Sequence, residues 1–422
     1  MTTPLIAPRP EHVPEDRVVD FDMFAPPGGK RDIFGAWKVL QDSGVPEVVW
    51  TPRNGGHWIA TRAKSMTEVA SDHKRFSSHI FLLPRETGEK FSNIPLGLNP
   101  PDHAPVRALL NPSLGPTAVP RLESMIRTIA VELIEGLRPA GHCAFTEQFA
   151  EIYPLKIFMM LVNLPFSDAP RLKQAVDEVL RPTGELSAEE GTRRLLDYIR
   201  QHLDQRLGKD GDDILSQIVN GRIKDRQITY DEALSVSLGV LAGGLDTVAN
   251  FASFVLHYLA THDGHRRALI ADPSLIGTAV EELLRRFPIS MSTRVVRHDT
   301  EFYGVQLKRD DMILMPGVVA GLDERWNERP MDVDFHRKPI KHASFGYGNH
   351  HCAGAHLARL ELRIMVEEWL GRIPEFAVKP DTEVTYTGGH VITVDRLPLV
   401  WDPTTTIQKV LHSDNEYMAN IS

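Results

Sequence analysis

Apolar residues recur at every third or fourth position through most of the chain beyond Asp102, the spacing that places them on one face of a helix. This pattern predicts helices over residues 33–40, 103–112, 118–137, 146–163, 168–181, 187–207, 230–262, 264–271 and 276–287, with a further apolar-periodic segment from Ala355. Short β-prone runs predict a hairpin of 48–51 and 57–61, and strands near 294–297, 301–307, 312–314 and 391–394. Because strands and helices do not alternate, the expected fold is mainly α with small β-sheets.

No linker rich in Gly, Ser or Pro divides the chain, so residues 1–404 are predicted to form a single domain, followed by a C-terminal tail over 405–422. Residues 1–30 are rich in proline and acidic side chains and predict an irregular surface arm. Residues 76–101 carry several prolines and no stable period. A loop of this length inside a compact protein indicates a functional segment.

Composition narrows the class of protein. The chain is 42% hydrophobic and 24% charged, as in globular proteins, and its net charge of −9 gives no basic stripe for nucleic acid. The N-terminus lacks a secretory signal pattern, and the longest apolar run, 157–164, is shorter than the roughly 20 residues that span a bilayer. Two cysteines indicate no disulfide framework. A cytoplasmic protein without membrane or nucleic-acid partners is therefore expected.

The segment Phe345-Gly346-Tyr347-Gly348-Asn349-His350-His351-Cys352-Ala353-Gly354 carries the most distinctive chemistry. Its glycines allow tight turns and close approach to a flat ligand, and a thiol just before a helix start is favoured as thiolate by the helix dipole. Two other interpretations are a buried structural cysteine and a zinc site that includes His350, His351 and His356. The zinc site is disfavoured because no second Cys/His pair has ligand spacing. Cys143 has no such surroundings and is predicted to be structural.

The predicted helix 230–262 contains Gly243-Gly244-Leu245-Asp246-Thr247. Each interior glycine costs about 1 kcal/mol relative to alanine, which indicates either close packing of a neighbouring helix or a groove for a small ligand. The Thr247 hydroxyl can bond to a carbonyl one turn earlier and loosen the helix, and Asp246 is a group that can transfer protons. Further along, Glu282 and Arg285 stand three apart and can pair, although such pairs usually lie on solvated helices.

Along the chain, the Asp246-Thr247 segment comes first, the Glu282 and Arg285 pair second and the cysteine loop third. In this order the three elements resemble the cytochrome P-450 superfamily. Nearly the whole chain, from Asp20 to Pro403, resembles the bacterial camphor 5-monooxygenase group in particular. The resemblance implies a triangular, mainly helical single-domain fold and one haem b whose iron is ligated by Cys352. It implies that a separate flavin reductase and a [2Fe–2S] ferredoxin supply electrons for O₂ activation in a monomer.

The resemblance also assigns roles to single residues. The haem propionates are expected to bind Arg107, Arg294 and His350. Asp246 and Thr247 are expected to deliver protons, with Lys173 and Arg181 near the acid. Glu282 and Arg285 are expected to be structural supports of the cysteine loop, with their third partner unassigned because Asp334 stands where it often lies. His351 stands where the family usually has an apolar residue. It is expected to alter the hydrogen bonding or solvation of the Cys352 sulfur and hence the reduction potential of the iron, in either direction.

The expected substrate contacts are Leu82, Phe91, Leu96, Gly239, Ala242, His390 and Val391. Phe91 stands where the camphor enzyme has a tyrosine that donates a hydrogen bond to the ketone, so camphor itself is not the expected substrate. Gly239 replaces a leucine and is expected to enlarge the pocket. His79 and Phe91 also replace residues of the group's monovalent-cation site and leave only Glu89, so no such cation is expected.

The predicted function is hydroxylation of a small hydrophobic cyclic compound, a terpenoid or norisoprenoid. Two alternatives would keep Cys352: a peroxide-driven haem enzyme and a haem-based binding or sensor protein. Neither needs the pair Asp246 and Thr247, whose presence favours the monooxygenase.

Overall fold

The computed structural model describes residues 6–91, 93–180, 188–244 and 246–404. Helices dominate these residues: α1 (Ile33–Lys38), α2 (Ala63–Ser71), α3 (Arg85–Lys90), α4 (His103–Arg107), α5 (Asn111–Leu114), α6 (Glu123–Leu137), α7 (Ile152–Leu161), α8 (Ala169–Leu180), α9 (Ala188–Arg206), α10 (Ile214–Val219), α11 (Tyr230–Gly244), α12 (Thr247–Thr261), α13 (Asp263–Ala271), α14 (Ile276–Arg286), α15 (Gly317–Gly321) and α16 (Ala355–Arg372). The prediction of a mainly α fold is confirmed. The predicted tail over 405–422 lies outside the described residues.

The strands are short: β1 (Val48–Thr51), β2 (His57–Ala60), β3 (Phe76–Ser77), β4 (His142–Ala144), β5 (Arg222–Ile223), β6 (Arg226–Gln227), β7 (Met291–Val296), β8 (Thr300–Phe302), β9 (Val305–Leu307), β10 (Met312–Pro316), β11 (Ala377–Val378), β12 (Tyr386–Thr387), β13 (Thr393–Val394) and β14 (Pro398–Val400). The largest sheet has the order β1-β2-β10-β7-β3, in which only β2 and β10 run parallel. A second sheet has the order β11-β14-β4. Pairing with β10 and β3 fixes β7, which carries Arg294.

Two predicted elements are corrected by the structure. The segment 230–262 is not one helix: α11 ends at Gly244, and Asp246 has φ −135° and ψ −38°, outside helical geometry, before α12 begins at Thr247. The segment 301–307 is not one strand but the hairpin of β8 and β9, because Tyr303 and Gly304 both have positive φ and turn the chain. The segment 76–101 is irregular except for β3 and α3.

The core surrounds α12, whose residues from Ala249 to Leu256 are all buried. This helix packs against α7, α14 and α16, so α16, which follows the cysteine loop, is anchored to the centre of the protein. Among the described residues, one segment, Tyr230–Thr261, which includes α11 and α12, is by length and composition apolar enough to cross a bilayer, with a mean hydropathy of 1.4. Because 59% of its most apolar window is buried inside the protein, the stretch matches a core helix equally well.

Candidate functional site

The cysteine loop, residues 345–354, is held by backbone geometry. Gly346 and Gly348 have φ of +72° and +66°, values that side chains rarely adopt, and a Cβ on Gly348 would lie 3.1 Å from the carbonyl oxygen of Ala70 in α2. The Cys352 N–H donates to the Phe345 carbonyl at 2.8 Å, which closes the loop just before α16. The loop therefore presents its sulfur from a rigid turn.

Two opposing influences act on the pKa of the Cys352 thiol. Desolvation is the larger and raises it, whereas the Gly354 N–H, Arg107 and Arg359 lower it, the direction expected for a cysteine at a helix start. The Cys352 side chain is exposed, and a positive charge bound against its sulfur would favour the thiolate further. In the described part of the chain, no three His, Cys, Asp or Glu side chains are arranged to hold a metal ion, which further disfavours zinc.

Basic side chains gather beside the loop. Arg294 is only 4% exposed, its Nη1 donates to the Thr293 carbonyl at 2.7 Å, and burial lowers its pKa to about 10. Burial also lowers the pKa of Arg107. The His350 ring nitrogen Nε2 lies 3.0 Å from the Ser78 hydroxyl, and its pKa is lowered to about 3 by burial and by Arg294 and His103. These groups influence one another electrostatically, so they form one cluster.

This basic cluster fits the haem that the family resemblance implies. Within the described residues, no carboxylate lies at ion-pair distance from the half-buried Arg107 or the buried Arg294, although buried cations are normally paired. His350, whose pKa is about 3, is neutral and can donate or accept a hydrogen bond. The two carboxylates of a haem would supply the missing negative charge. The space around Gly354 is open, because a Cβ there would meet only the Cys352 sulfur, at 4.0 Å.

His103 belongs to this cluster and was missed from the sequence. It is buried, its ring centroid lies 4.2 Å from that of His350, and burial together with Arg107 and Arg294 lowers its pKa. A signal was present, since His103 and Arg107 are four residues apart and share one face of α4.

Glu282 and Arg285 form a fully buried ion pair rather than a solvated one. Arg285 donates from Nε and Nη2 to the two Glu282 oxygens at 2.8 Å, and both side chains are 0% exposed. The unassigned third partner is Arg337, whose Nε lies 3.0 Å from Glu282 Oε1. Arg285 also donates to the carbonyls of Gly321, Pro330 and Asp332. The cluster thus fastens the segment after α15 to α14.

The neighbouring residue Glu281 connects α14 to the cysteine loop. Its Oε2 accepts from Arg359 at 3.2 Å and lies 3.2 Å from His342 Nε2, while the Arg359 guanidinium stacks 4.4 Å above the Phe345 ring. Burial opposes ionisation of Glu281, but the hydrogen bonds of His342 and Arg359 outweigh it and lower its pKa to about 2. An ionised Glu281 therefore stabilises the folded state.

The folded protein should lose this contribution in acid. Because the pKa of Glu281 is lower in the folded chain than its ordinary value of 4.5, its stabilisation is present above pH 4.5 and is lost as the pH falls toward 2. We expect Glu281→Gln to cost on the order of 1–2 kcal/mol at neutral pH, after allowance for its partial exposure. Urea unfolding of both proteins between pH 7 and pH 2 should show the difference shrinking over this window. A difference that stays constant with pH would contradict the assignment.

The break between α11 and α12 separates two different glycines. A Cβ on Gly244 would lie 2.3 Å from a ring carbon of Phe158 in α7, so this glycine permits close helix packing. A Cβ on Gly243 would meet nothing within 4 Å, so this glycine borders open space. The Thr247 hydroxyl donates to the Gly243 carbonyl at 3.2 Å, as predicted. Close packing is therefore present at Gly244 and open space at Gly243.

The two glycines should respond in opposite ways to alanine. Gly244→Ala forces the new methyl into Phe158, and overpacking of this kind costs about 1–3 kcal/mol. Gly243→Ala adds a methyl in open space within a helix, and we expect stability to be unchanged or raised by up to about 1 kcal/mol. Urea unfolding of the two variants checks this. Equal destabilisation of both would show that the packing at this break differs from that described.

Asp246 is buried at the break, and its backbone carbonyl accepts from the Asn250 side chain at 3.0 Å. Lys173 lies 3.7 Å from Glu151, and Arg181 lies outside the described residues. The predicted approach of these two cations to Asp246 stays a prediction.

The predicted substrate contacts are distributed unevenly. Leu82 and Phe91 are buried, whereas Leu96 is 41% exposed. Gly239 does not border open space: a Cβ there would lie 2.9 Å from the Asn93 side-chain oxygen. The expectation that Gly239 enlarges the pocket is therefore corrected, because Asn93 occupies the space that a side chain would fill.

His390 and Asn93 add polar groups to this region. His390 Nε2 lies 2.8 Å from the Leu83 carbonyl, so the ring fastens the segment after Leu82, while its Nδ1 is buried and has no partner in the described structure. Asn93 was missed from the sequence; it is 1% exposed, and neither amide atom has a hydrogen-bond partner among the described residues. Val391 and Ala242 are partly buried.

The comparisons with known proteins agree with this architecture. The family model described as Cytochrome P450 matches residues 142–386. The probable cytochrome P450 127A1 of Sinorhizobium fredii is 33% identical over 93% of this chain and 97% of its own length. The mycinamicin IV hydroxylase/epoxidase of Micromonospora griseorubida is 29% identical over 87% of this chain and 95% of its own length.

Solved structures are similar over almost the whole chain. The crystal structure of CYP101J2 is 42% identical and matches with a TM-score of 0.87 over 94% of this chain and 100% of its own. The crystal structure of cytochrome P450 CYP101C1 is 40% identical and matches with a TM-score of 0.86 over 93% of this chain and 100% of its own. Fold and site together define an oxidoreductase of the monooxygenase class. The chain belongs to the cytochrome P450 family, whose cofactor is haem.

Proposed function

We propose that the protein hydroxylates a small hydrophobic cyclic compound, a terpenoid or norisoprenoid, with O₂ and with electrons from a [2Fe–2S] ferredoxin and a separate flavin reductase. Haem b, held through Cys352, would supply the oxygen chemistry. Arg107, Arg294 and His350, together with His103, would hold its carboxylates. The proposal is supported by the similarity to CYP101J2 and CYP101C1 and by relatives named as monooxygenases of cyclic compounds, such as the steroid C26-monooxygenase of Mycolicibacterium smegmatis.

The observation that carries the proposal is the interrupted helix. Gly243 borders open space, and Thr247 follows directly after the break. The Thr247 hydroxyl donates its hydrogen to the Gly243 carbonyl, so its lone pairs stay available as acceptors. The lone pairs of the Thr247 hydroxyl can accept a hydrogen bond from a water in the open space beside Gly243. The buried Asp246 can exchange a proton with that water. A binding or sensor protein has no use for such a pair.

Thr247→Ala should uncouple electron consumption from product. We expect NADH consumption to continue while product per NADH falls at least about tenfold, since Thr247→Ala removes the acceptor that holds a water on the proton path, and positioned acid–base groups contribute about 10²–10⁴ to the rate. The matched control is Thr261→Ala, which removes the same bond from threonine to a carbonyl four residues earlier, to His257 at 2.9 Å, at the far end of α12. Product and hydrogen peroxide are measured against NADH consumed. Unchanged coupling in Thr247→Ala would remove Thr247 from the proton path.

The substrate class is tested by adding cyclic terpenoids and norisoprenoids to the haem-loaded protein and recording the haem spin-state shift. Phe91 cannot donate a hydrogen bond to a ketone, and a lost buried hydrogen bond is worth roughly 1 kcal/mol, so camphor should not give the largest shift. A largest shift with camphor would overturn the argument from Phe91. Turnover with peroxide alone, at the rate seen with ferredoxin and reductase, would favour the peroxide-driven alternative.

A further inference from the structure

A cavity of about 670 Å³ lies away from the candidate haem site, between the start of α1, the C-terminal half of α12, α13 and the segment 329–336. None of the described residues that line it belongs to the cysteine loop, the basic cluster or the break at Asp246. Its volume is within the range of small-molecule sites, about 300–1,000 Å³. It is therefore a separate site by position and by size.

Arg286 lines this cavity with an incompletely satisfied guanidinium. Its Nε donates to the Met331 carbonyl at 2.8 Å, but its Nη1 is buried without a hydrogen-bond partner, and no carboxylate in the described structure lies at ion-pair distance from it. Burial lowers its pKa to about 10. The adjacent Arg285, in contrast, donates to Glu282 and to three carbonyls. The Arg286 side chain is half-buried and the charge of Asp32 acts on it, but its Nη1 is buried without a hydrogen-bond partner, which is costly, and a bound anion would offset that cost.

Aromatic rings form the other surfaces of the cavity. Phe254 stacks on Phe287 and on Tyr386, with centroids 5.8 and 5.5 Å apart and planes within 14°. The Arg286 guanidinium lies 4.9 Å from the centre of the Phe287 ring. The Tyr386 hydroxyl lies 3.0 Å from His257 Nδ1, so this wall also carries a polar edge. Flat rings of this kind favour a flat apolar ligand body.

Charges at the rim limit the ligand's charge. Asp32 and Asp332 are both exposed and line the cavity; Asp332 lies 3.5 Å from Arg329, and the Asp32 carboxylate accepts from the Gly35 N–H at 2.9 Å. These acids would repel an anion of charge −2 more than one of charge −1. Three arginines, Arg31, Arg286 and Arg329, and three aspartates, Asp32, Asp332 and Asp334, line the cavity. Arg31 lies 2.7 Å from Glu383 and Arg329 lies 3.5 Å from Asp332, so among the described residues Arg286 is the lining arginine without a carboxylate at ion-pair distance. This balance of charge favours a ligand of charge −1 over one of charge −2.

We propose that this cavity is a second ligand site, which binds a small aromatic monocarboxylate with its carboxylate on Arg286 and its ring against the aromatic wall. This site lies outside the monooxygenase chemistry and does not depend on the proposed substrate.

Calorimetric titration of the haem-loaded protein with benzoate tests the proposal, with neutral benzamide for comparison. We expect saturable 1:1 binding that is at least about tenfold weaker for benzamide and for Arg286→Met, because a charge-assisted hydrogen bond is lost. Ala268→Phe, on the cavity wall in α13, should weaken it to a similar extent by filling the space. Arg267→Gln is the matched control, since it removes an exposed positive charge outside the cavity.

The two cavity variants answer the question independently. If Arg286→Met does not fold, Ala268→Phe alone decides, because it retains the whole polar network. Absence of saturable binding would overturn the proposal. So would benzoate binding that both variants leave intact, or binding accompanied by a change in the haem absorption spectrum, which would place the ligand at the haem instead.

Discussion

Replacing Cys352 by serine is expected to abolish monooxygenase activity and the absorption band of a thiolate-ligated haem in the reduced, carbon monoxide-treated protein. A thiolate pushes electron density toward the iron and favours cleavage of the O–O bond, and an alcohol oxygen does not replace it in this role. The loop geometry should persist, because the 2.8 Å bond that closes it comes from the backbone N–H of residue 352 and not from its side chain.

The matched control uses the other cysteine of the chain. Cys143 lies in β4, is buried, and burial raises its pKa to about 12, so it is a neutral packing residue. Cys143→Ser should retain the thiolate spectrum and activity, with a loss only of stability. If Cys352→Ser kept a thiolate-type spectrum, or if Cys143→Ser lost it, the ligand assignment would be wrong. Haem content and the spectrum of each variant decide between these results.

Replacing Glu282 by glutamine is expected to cost about 3–5 kcal/mol of folding free energy, the usual penalty for leaving a buried charge without its partner. Arg285 is 0% exposed and loses its carboxylate, and Arg337 loses a contact of 3.0 Å. The segment that Arg285 holds through three carbonyls would then be released from α14. Urea unfolding followed by far-ultraviolet circular dichroism measures the loss, and haem retention reports on the cysteine loop.

The adjacent Glu281→Gln is the control for this prediction, since it makes the same chemical change one residue away at a position 31% exposed. Its expected cost is on the order of 1–2 kcal/mol. Equal stability of the two variants would show that the burial of Glu282 adds nothing to folding stability, and would contradict a structural role for the Glu282 cluster. A loss of haem in Glu282→Gln without loss of stability would instead assign Glu282 to the haem site directly.

The candidate site could be proposed from the sequence because its residues are grouped in short segments of the chain. The glycines and Cys352 occupy one loop, Asp246 and Thr247 are adjacent in sequence, and Glu282 and Arg285 are three residues apart. Backbone turns, helix starts and neighbours on one helix face depend on a few consecutive residues, so a linear pattern records them. The helical class of the fold followed from the same local periodicity.

The remaining features required contacts between distant segments. Arg337 completes the Glu282 cluster from 55 positions away, Asn93 fills the space beside Gly239, and Phe158 distinguishes Gly244 from Gly243. Desolvation opposes the effect of the helix start on the pKa of Cys352, and the aromatic cavity at Arg286 combines at least four separate elements. Burial and the occupation of space are properties of the packed molecule. The order of residues along the chain therefore specifies which groups are available, and tertiary packing decides which of them meet, which are desolvated and which remain without a partner.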